Sequence, residues 1–327
     1  MGRFPFIEEH RSYIMGVRGF YSEGTLTRIT RNLNTIHRDL QCLREQGEHG
    51  NISTTNPAKL TERDISELLH LWRTRLTRSG KPMLPSTQAK YLSDLEGLLN
   101  WHSNGVIEQM RLKKFNLPVA VTGPIEVKNV SEIDALRAAA ERIPGWKGST
   151  ARLLVALILG SGMRRKEFRL ARRQNTDIER WRVLVSNPKG EGAWASEDYA
   201  PILPSARQPL LDFLEERKAF LKECGQDHEA LVPYRRRDGQ LDFWSDAMIG
   251  KLKGEIQRLS GVTFKLCAGN HNLRATFGQS LRDKGVGIES VSKAMRHRTT
   301  KTTETYYTRI RTDRAFQEIE EAFLVQN

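Results

Sequence analysis

The sequence has little cysteine and no long apolar run. Its 327 residues include three cysteines, Cys42, Cys224 and Cys267, which lie far apart and outside any Cys-x-x-Cys spacing. We therefore expect reduced, partly buried thiols of a cytoplasmic protein, and neither a disulfide framework nor a zinc site. No apolar stretch approaches the roughly 20 residues that cross a bilayer. The first residues include acidic side chains and lack the apolar region of a secretory signal, so we expect neither a membrane span nor export.

Two common means of handling phosphate are also missing. The sequence has no glycine-rich loop of the kind that binds nucleotide phosphates. It also has no group of Asp and Glu residues at the spacing of metal ligands. We therefore expect no nucleotide, metal or other cofactor.

Positive charge is what the sequence has in excess. It contains 52 Lys and Arg against 39 Asp and Glu, which gives a formal net charge of +13. With 38% hydrophobic and 28% charged residues, the chain has the composition of a globular protein and is long enough for two domains. The spread of basic residues along the chain favours a polyanionic partner such as nucleic acid, and a merely basic soluble protein is the alternative.

The first part of the chain is predicted to be helical. Residues 1–20 are expected to form an N-terminal arm, and residues 21–117 a small helical domain with basic edges. Thr61, with Asp64 three residues later, predicts the capped start of one helix, and another is expected near 86–100. A preceding helix is predicted from apolar residues spaced by three and four, namely Leu26, Ile29, Leu33, Ile36, Leu40 and Leu43.

A linker is predicted at residues 118–125, which contain two prolines and a glycine. It separates the helical domain from a second domain at 126–312, and a C-terminal helix or tail is expected at 313–327. Ser131 is the predicted N-cap of the first helix of the second domain.

The second domain is predicted to contain a central helix and one hairpin. Residues 151–159 are apolar almost all round and predict a buried helix. Residues 181–185 and 199–203 predict two strands joined through a Pro-Lys-Gly turn, and the pattern from 204 onward is helical. The predicted fold class is therefore mainly α with a small antiparallel β-sheet (α+β).

A group of cations and a phenol near the C-terminus indicates chemistry on a phosphate. His271 and Arg274 are three residues apart and share one face of a helix, and His297 and Tyr306 follow in a segment rich in Thr and basic residues. As part of an apolar core, these side chains would leave several polar groups without partners. They suit a site that binds a phosphate through cations and attacks it with a phenolic oxygen.

The second half of the chain contains four blocks in a fixed order over roughly residues 125 to 310: Ser161–Phe168, Lys189, His271–Gly278, and Met295–His297 with Thr302–Tyr306. In order and spacing these blocks resemble the tyrosine recombinase (phage integrase) family. Ser161-Gly162-Met163-Arg164-Arg165-Lys166-Glu167-Phe168 resembles the family's Thr-Gly-Leu-Arg-x-x-Glu-Leu box, and Lys189 matches its β-hairpin lysine. His271-Asn272-Leu273-Arg274-Ala275-Thr276-Phe277-Gly278 resembles His-x-Leu-Arg-His-Thr-Phe-Ala. Met295-Arg296-His297 and Thr302-Thr303-Glu304-Thr305-Tyr306 match Leu-Gly-His and the Thr-Thr-x-x-Tyr block.

The resemblance implies a helical core-binding domain at 21–117, a tyrosine recombinase catalytic domain at 126–312 and a DNA strand transferase activity. The implied catalytic residues are Arg164, Lys189, His271, Arg274, His297 and Tyr306. In this scheme the arginines hold the phosphate, Tyr306 attacks it and His271 takes the tyrosine proton. Lys189 protonates the departing 5′ oxygen, and His297 donates a hydrogen bond. Each residue alone has an ordinary structural interpretation, and only their joint occurrence favours the site.

The implied partner is double-stranded DNA with specific recombination sites, bound by a homotetramer that exchanges strands through a Holliday junction. We favour integration or excision of a viral or plasmid element, in the cytoplasm of a prokaryotic cell or a virus-infected host. The alternatives are an Xer-like resolvase of chromosome or plasmid dimers, a type IB topoisomerase-like enzyme, and a catalytically inactive DNA-binding protein of the same fold.

The sequence departs from the family pattern at several positions. Ala275 stands where the family often has a second His, and Arg296 replaces the usual Gly and adds positive charge. Tyr307 adjoins Tyr306, but the frame of the block favours Tyr306 as the nucleophile. A final apolar stripe either packs on its own domain or docks on a neighbouring protomer; it consists of Phe316, Ile319, Ala322 and Phe323.

Overall fold

Helices dominate both parts of the chain in the computed structural model, which describes residues 5–45, 52, 54–77, 80–120, 125–186, 196–263, 269–307 and 316. The chain divides into two compact units, Met1–Thr122 and Gly123–Asn327, and the division falls within the predicted linker segment 118–125. Among the described helices, none combines the length and the apolar character that a bilayer crossing requires.

The first unit is built from helices around one apolar core. They are α1 (Pro5–Gly16), α2 (Glu23–Glu45), α3 (Glu62–Thr74), α4 (Pro85–Trp101) and α5 (Val106–Leu112). The predicted apolar stripe of α2 is buried along its whole length. The predicted capping box of α3 is confirmed, because Thr61 Oγ1 accepts from the Asp64 backbone N–H while Asp64 Oδ2 accepts from the Thr61 backbone N–H.

The N-terminal residues differ from the expected arm. Residues Pro5–Gly16 form α1, and both Phe6 and Tyr13 are buried in the same core as α2. Phe6 stacks on the His37 ring, with the ring centroids 5.2 Å apart. The two aromatic residues lie two helical turns apart and therefore share one face, a spacing too sparse to predict an apolar stripe.

The second unit is organised around α7 (Gly145–Ser161), whose buried side chains confirm the predicted central helix. Helix α7 packs against helices before and after it in the chain, including α6, α9, α10 and α11. The remaining helices are α6 (Val130–Glu141), α8 (Arg165–Arg169), α9 (Pro204–Cys224), α10 (Asp246–Ser260), α11 (Gly269–Asp283), α12 (Ile288–Ala294) and α13 (Thr300–Tyr307).

The described strands of the second unit form two small antiparallel sheets. The first has the order β1-β2-β3 and consists of β1 (Thr176–Asp177), β2 (Arg182–Val185) and β3 (Asp198–Pro201). Strands β2 and β3 are the predicted pair, with Val183 opposite Ala200. The second sheet pairs β4 (Pro233–Arg235) with β5 (Leu241–Phe243). A mainly α fold with small antiparallel sheets is thereby confirmed.

Two local predictions are wrong, and a third falls largely outside the described residues. Asn129, and not Ser131, caps α6, because its Oδ1 accepts from the Glu132 N–H at 2.9 Å. The purely helical pattern expected after residue 204 is wrong at β4 and β5, where each strand is too short to show an alternating pattern. Within the expected C-terminal tail, the described residue is Phe316, which is exposed, and the rest of the apolar stripe lies outside the described residues.

Candidate active site

The first part of the site is a tight turn between α7 and α8. Helix α7 ends at Ser161 and is capped by Gly162, whose φ of +61° lies in the left-handed region. Two residues later Arg164 occupies the N-cap position of α8. Glu167 holds it there, accepting from the Arg164 backbone N–H at 2.8 Å and from Arg164 Nη1 at 2.6 Å. The turn therefore fixes both the backbone and the guanidinium of Arg164.

Glycine is required at position 162 for two reasons, which a matched pair of variants separates. A Cβ at Gly162 would lie 2.5 Å from the Phe277 ring, whereas a Cβ at Gly145, which has a φ of +62°, meets nothing within 4 Å. Gly145→Ala should lower the free energy of unfolding by about 1–2 kcal/mol through backbone strain alone. Gly162→Ala adds the clash, for a further loss of about 1–3 kcal/mol in the free energy of unfolding, measured by urea denaturation. Equal losses in the two variants would show that Phe277 moves aside freely.

Arg274 joins this turn to the loop that follows α12. Its side chain lies on α11 and is nearly inaccessible, with the residue 2% exposed. Its Nη1 donates to the carbonyl oxygen of Gly162, and its Nη2 donates to the carbonyl oxygen of Met295. One guanidinium thus holds two segments that are distant in the sequence.

Arg296 completes the contacts around Glu167. Its Nη2 donates to Glu167 Oε2 at 2.7 Å, and its carbonyl oxygen accepts from Arg164 Nη2 at 3.2 Å. We call Arg164, Glu167, Arg274 and Arg296 the arginine–glutamate cluster. Burial by itself would raise the pKa of Glu167, but Arg296, Arg164 and Arg274 together lower it to about 2. The cluster therefore carries three positive charges against one negative charge at neutral pH.

His297 lies beside this cluster and contacts the helix that carries Tyr306. Its Nδ1 lies 2.8 Å from Oγ1 of Thr303, which is fully buried on α13. Burial, followed by the positive charges of Arg274, Arg164 and Arg296, lowers the pKa of His297 to about 3. The imidazole is therefore neutral at physiological pH, with one donor and one acceptor nitrogen.

The depressed pKa of His297 predicts a loss of stability in mild acid. Its imidazole takes up a proton near pH 6.5 when the chain is unfolded, but only near pH 3 when it is folded. At pH values between these two, unfolding is accompanied by the uptake of a proton. The free energy of unfolding therefore falls as the pH is lowered, with a limiting slope of about 1.4 kcal/mol per pH unit. We expect His297→Gln to lose less stability than the unsubstituted chain between about pH 7.5 and about pH 5, measured by urea denaturation.

The control for this prediction is His70→Gln, since His70 is exposed on α3. This variant should keep the pH dependence of the unsubstituted chain. An unchanged pH dependence in His297→Gln would contradict the assignment of a neutral, buried imidazole.

The structure brings some of the residues predicted from the sequence together and leaves others outside the described residues. It brings Arg164, Arg274 and His297 together, and His271 lies exposed on α11, three residues before Arg274. The backbone of Tyr306 belongs to α13, which packs against α11 and α12, but its side chain lies outside the described residues. Lys189 also lies outside them, in the segment between β2 and β3.

The structure adds three residues to the site that have no predicted role. They are Glu167, Arg296 and Thr303. The spacing of Glu167 three residues after Arg164 is that of a capping box and is visible in the sequence. The contacts of Arg296 and Thr303 depend on the tertiary structure and leave no such pattern.

Comparison with known proteins gives one family and several relatives. The family model described as the phage integrase family matches residues 129–314. The tyrosine recombinase XerC of Bacillus pumilus is 25% identical over 160 residues, which are 49% of this chain and 49% of that protein. XerA of Thermococcus onnurineus is 26% identical over 175 residues, 54% of this chain and 56% of that protein. The chain spans about half the length of the curated relatives it matches.

Solved structures of similar fold include DNA complexes. XerH recombinase bound to a palindromic difH substrate, in a post-cleavage complex, has a TM-score of 0.63 at 18% identity, covering 91% of this chain and 78% of that one. The Tn1549 transposon integrase in complex with a circular intermediate DNA has a TM-score of 0.62 at 15% identity, covering 96% and 99%. A lambda integrase dimer bound to a COC′ core site has a TM-score of 0.62 at 15% identity, covering 93% and 78%. At these identities the likeness is one of fold.

Proposed function

We propose that this chain, which belongs to the phage integrase family, cleaves and rejoins DNA strands through a covalent bond between a 3′ phosphate and Tyr306. The observation that supports this proposal most strongly is that the guanidiniums of Arg164 and Arg274 lie in one place. Arg274 donates to the carbonyl oxygens of Gly162 and Met295, and Arg164 donates to the carbonyl oxygen of Arg296. A phosphodiester under attack gathers negative charge on its non-bridging oxygens. Guanidiniums bind such oxygens with two donors and stay charged at any working pH.

The charge of the arginine–glutamate cluster supports a phenol as the nucleophile. The ordinary pKa of a tyrosine hydroxyl is near 10, so attack at neutral pH needs a base and nearby positive charge. The excess of guanidiniums over carboxylate supplies the charge. His271, exposed on α11, is proposed as the base that takes the proton of Tyr306.

His297 is proposed to donate a hydrogen bond to the phosphate. When its Nδ1 accepts the hydroxyl proton of Thr303, the proton of the neutral ring is on Nε2. Nε2 can then donate to a non-bridging oxygen without adding a charge. Because Thr303 and Tyr306 share α13, the same contact ties the tyrosine helix to the phosphate site.

The proposed reaction conserves the energy of the phosphodiester. The Tyr306 oxygen forms a bond to phosphorus, the bond from phosphorus to the 5′ oxygen breaks, and Lys189 gives that oxygen a proton. Rejoining reverses these steps with the same or another 5′ hydroxyl. No nucleotide hydrolysis is needed, because the phosphotyrosine has a similar energy to the bond it replaces.

We propose double-stranded DNA with specific sites as the substrate, with four protomers on two synapsed sites and exchange through a Holliday junction. The solved structures of similar fold support DNA as the partner, since one is bound to a palindromic difH substrate, one to a circular intermediate DNA and one to a COC′ core site. We favour integration or excision of a viral or plasmid element. Resolution of chromosome or plasmid dimers is the second candidate, and the similarity to XerC and XerA favours it.

Adduct trapping tests the proposed chemistry. The full chain is incubated in EDTA with a pool of nicked duplexes of randomised sequence and is then denatured in SDS. We expect a covalent protein–DNA adduct enriched in one sequence, because the nick lets the cleaved end diffuse away. DNA binding without any adduct would support the catalytically inactive alternative. Relaxation of supercoiled plasmid without sequence preference would support a topoisomerase.

The position of the trapped sequence separates the two candidate functions. A site at the junctions of an inserted element supports integration or excision. A site elsewhere in the chromosome, away from any inserted element, supports dimer resolution.

A further inference from the structure

Arg296 has a backbone conformation that arginine rarely adopts. Its φ is +52°, in the left-handed region, where glycine would fit without steric cost. Its side chain is nevertheless buried, with only 5% exposed, and within the described part of the chain its Nε has no hydrogen-bond partner. Neither the backbone nor the burial favours arginine here, so the contacts of its guanidinium must account for it.

Those contacts form a closed ring of three residues. Arg164 Nη1 donates to Glu167 Oε1, and Arg296 Nη2 donates to Glu167 Oε2. The ring closes where Arg164 Nη2 donates to the carbonyl oxygen of Arg296. A glycine at position 296 could still provide the carbonyl oxygen, but Glu167 would lose one of its cations.

We propose that Arg296 is a positioning residue, which fixes the Glu167 carboxylate so that Arg164 is held in place for the DNA phosphate. This inference rests on the proposed function. In this proposal Arg296 makes no contact with the phosphate, because its Nη2 donates to the Glu167 carboxylate and its Nη1 donates to the Ala294 carbonyl oxygen at 2.8 Å. It acts through Glu167 and through its own positive charge beside His297.

The central variant is Arg296→Gly, which keeps the carbonyl oxygen, relieves the positive φ and removes the guanidinium. Its matched control is Lys114→Gly, because Lys114 is exposed in the first unit and has a φ of +59°. The control relieves the same backbone strain and removes the same charge, but it lies outside the cluster. Arg296→Lys is the conservative variant, which keeps the charge and part of the contact to Glu167.

The first readout is single-turnover cleavage of the trapped duplex. We expect Arg296→Gly to cleave about 100-fold more slowly, because a small displacement of a catalytic group costs this much. The affinity of Arg296→Gly for the duplex should change little, and Arg296→Lys should recover part of the rate. At a protein concentration that saturates the duplex, Lys114→Gly should cleave at the rate of the unsubstituted chain, because loss of an exposed lysine from the proposed DNA-binding domain can lower affinity but leaves the contacts of the cluster unchanged. A normal rate in Arg296→Gly, or a loss that only follows the fraction of unfolded protein, would overturn the proposal.

The second readout does not depend on cleavage. In nitrogen-15 NMR spectra, the guanidinium of Arg164, assigned with Arg164→Lys, should show restricted rotation in the unsubstituted chain and in Lys114→Gly. Arg296→Gly should release that rotation and raise the pKa of His297, since one nearby positive charge is gone. If Arg164 stays equally restricted in Arg296→Gly, the positioning role is wrong even if the chain proves to cleave DNA. If the Arg164 guanidinium rotates freely in Arg296→Gly and no variant, nor the unsubstituted chain, forms an adduct, the proposed function is wrong, but Arg296 still positions Arg164.

Discussion

Replacing Arg274 with alanine is expected to abolish measurable DNA cleavage and to lower the free energy of unfolding by about 3 kcal/mol. The side chain is 2% exposed and donates to the carbonyl oxygens of Gly162 and Met295. Its removal leaves both oxygens without this donor and opens a cavity in a packed region. It also removes one of the two guanidiniums proposed to hold the phosphate, which should slow cleavage at least about 1,000-fold.

A second buried arginine provides a control that distinguishes the effect of Arg274→Ala on stability from its effect on cleavage. Arg217 on α9 is also buried and donates to the carbonyl oxygens of His228, Ala230 and Leu231. Arg217→Ala should therefore cost comparable stability, measured by urea denaturation. At a temperature where both variants are folded, it should cleave the trapped duplex at the rate of the unsubstituted chain. Equal cleavage rates in the two variants would contradict a role of Arg274 in the chemistry.

Arg274→Lys tests the geometry of the same site. Lysine keeps the charge but has a single ammonium, which cannot donate in two fixed directions as a guanidinium does. We expect stability between that of alanine and arginine, and a cleavage rate still reduced about 100-fold. A lysine variant of full activity would mean that charge alone is needed at this position.

Much of the fold could be predicted where local patterns are strong. The apolar stripe of α2, the capping box of Thr61 and the buried α7 each follow from spacing within one element. The strands β4 and β5 could not, because three residues are too few to show an alternating pattern. Helix α1 was missed because its buried aromatic side chains are widely spaced along the sequence.

The site was predictable in composition but not in arrangement. The order of the blocks identified Arg164, Arg274 and His297, which the structure brings together. The ring through Glu167 was not predictable, because Arg164 and Arg296 are 132 residues apart and meet only through tertiary packing. The sequence shows that arginine replaces the usual glycine at position 296. It indicates neither the positive φ of Arg296 nor its contact with Glu167.

Tyr306→Phe is the second variant with a very large expected effect. Phenylalanine keeps the ring but removes the oxygen that is proposed to attack phosphorus, so adduct formation should fall at least about 1,000-fold. Tyr307 is the natural control, because it is the next residue on α13 and carries the same group. Both tyrosines follow Thr303 by about one helical turn, so the frame of the Thr-Thr-x-x-Tyr block, and not helix geometry, selects Tyr306.

Trapping on the selected duplex in EDTA decides whether two guanidiniums and one phenol act on a single DNA phosphate without a divalent ion. The unsubstituted chain and Tyr307→Phe should form the SDS-resistant adduct to the same extent, while Tyr306→Phe should form none. An adduct that disappears only in Tyr307→Phe would exclude Tyr306 as the nucleophile. An adduct that forms only when a divalent ion is added would exclude attack without a metal.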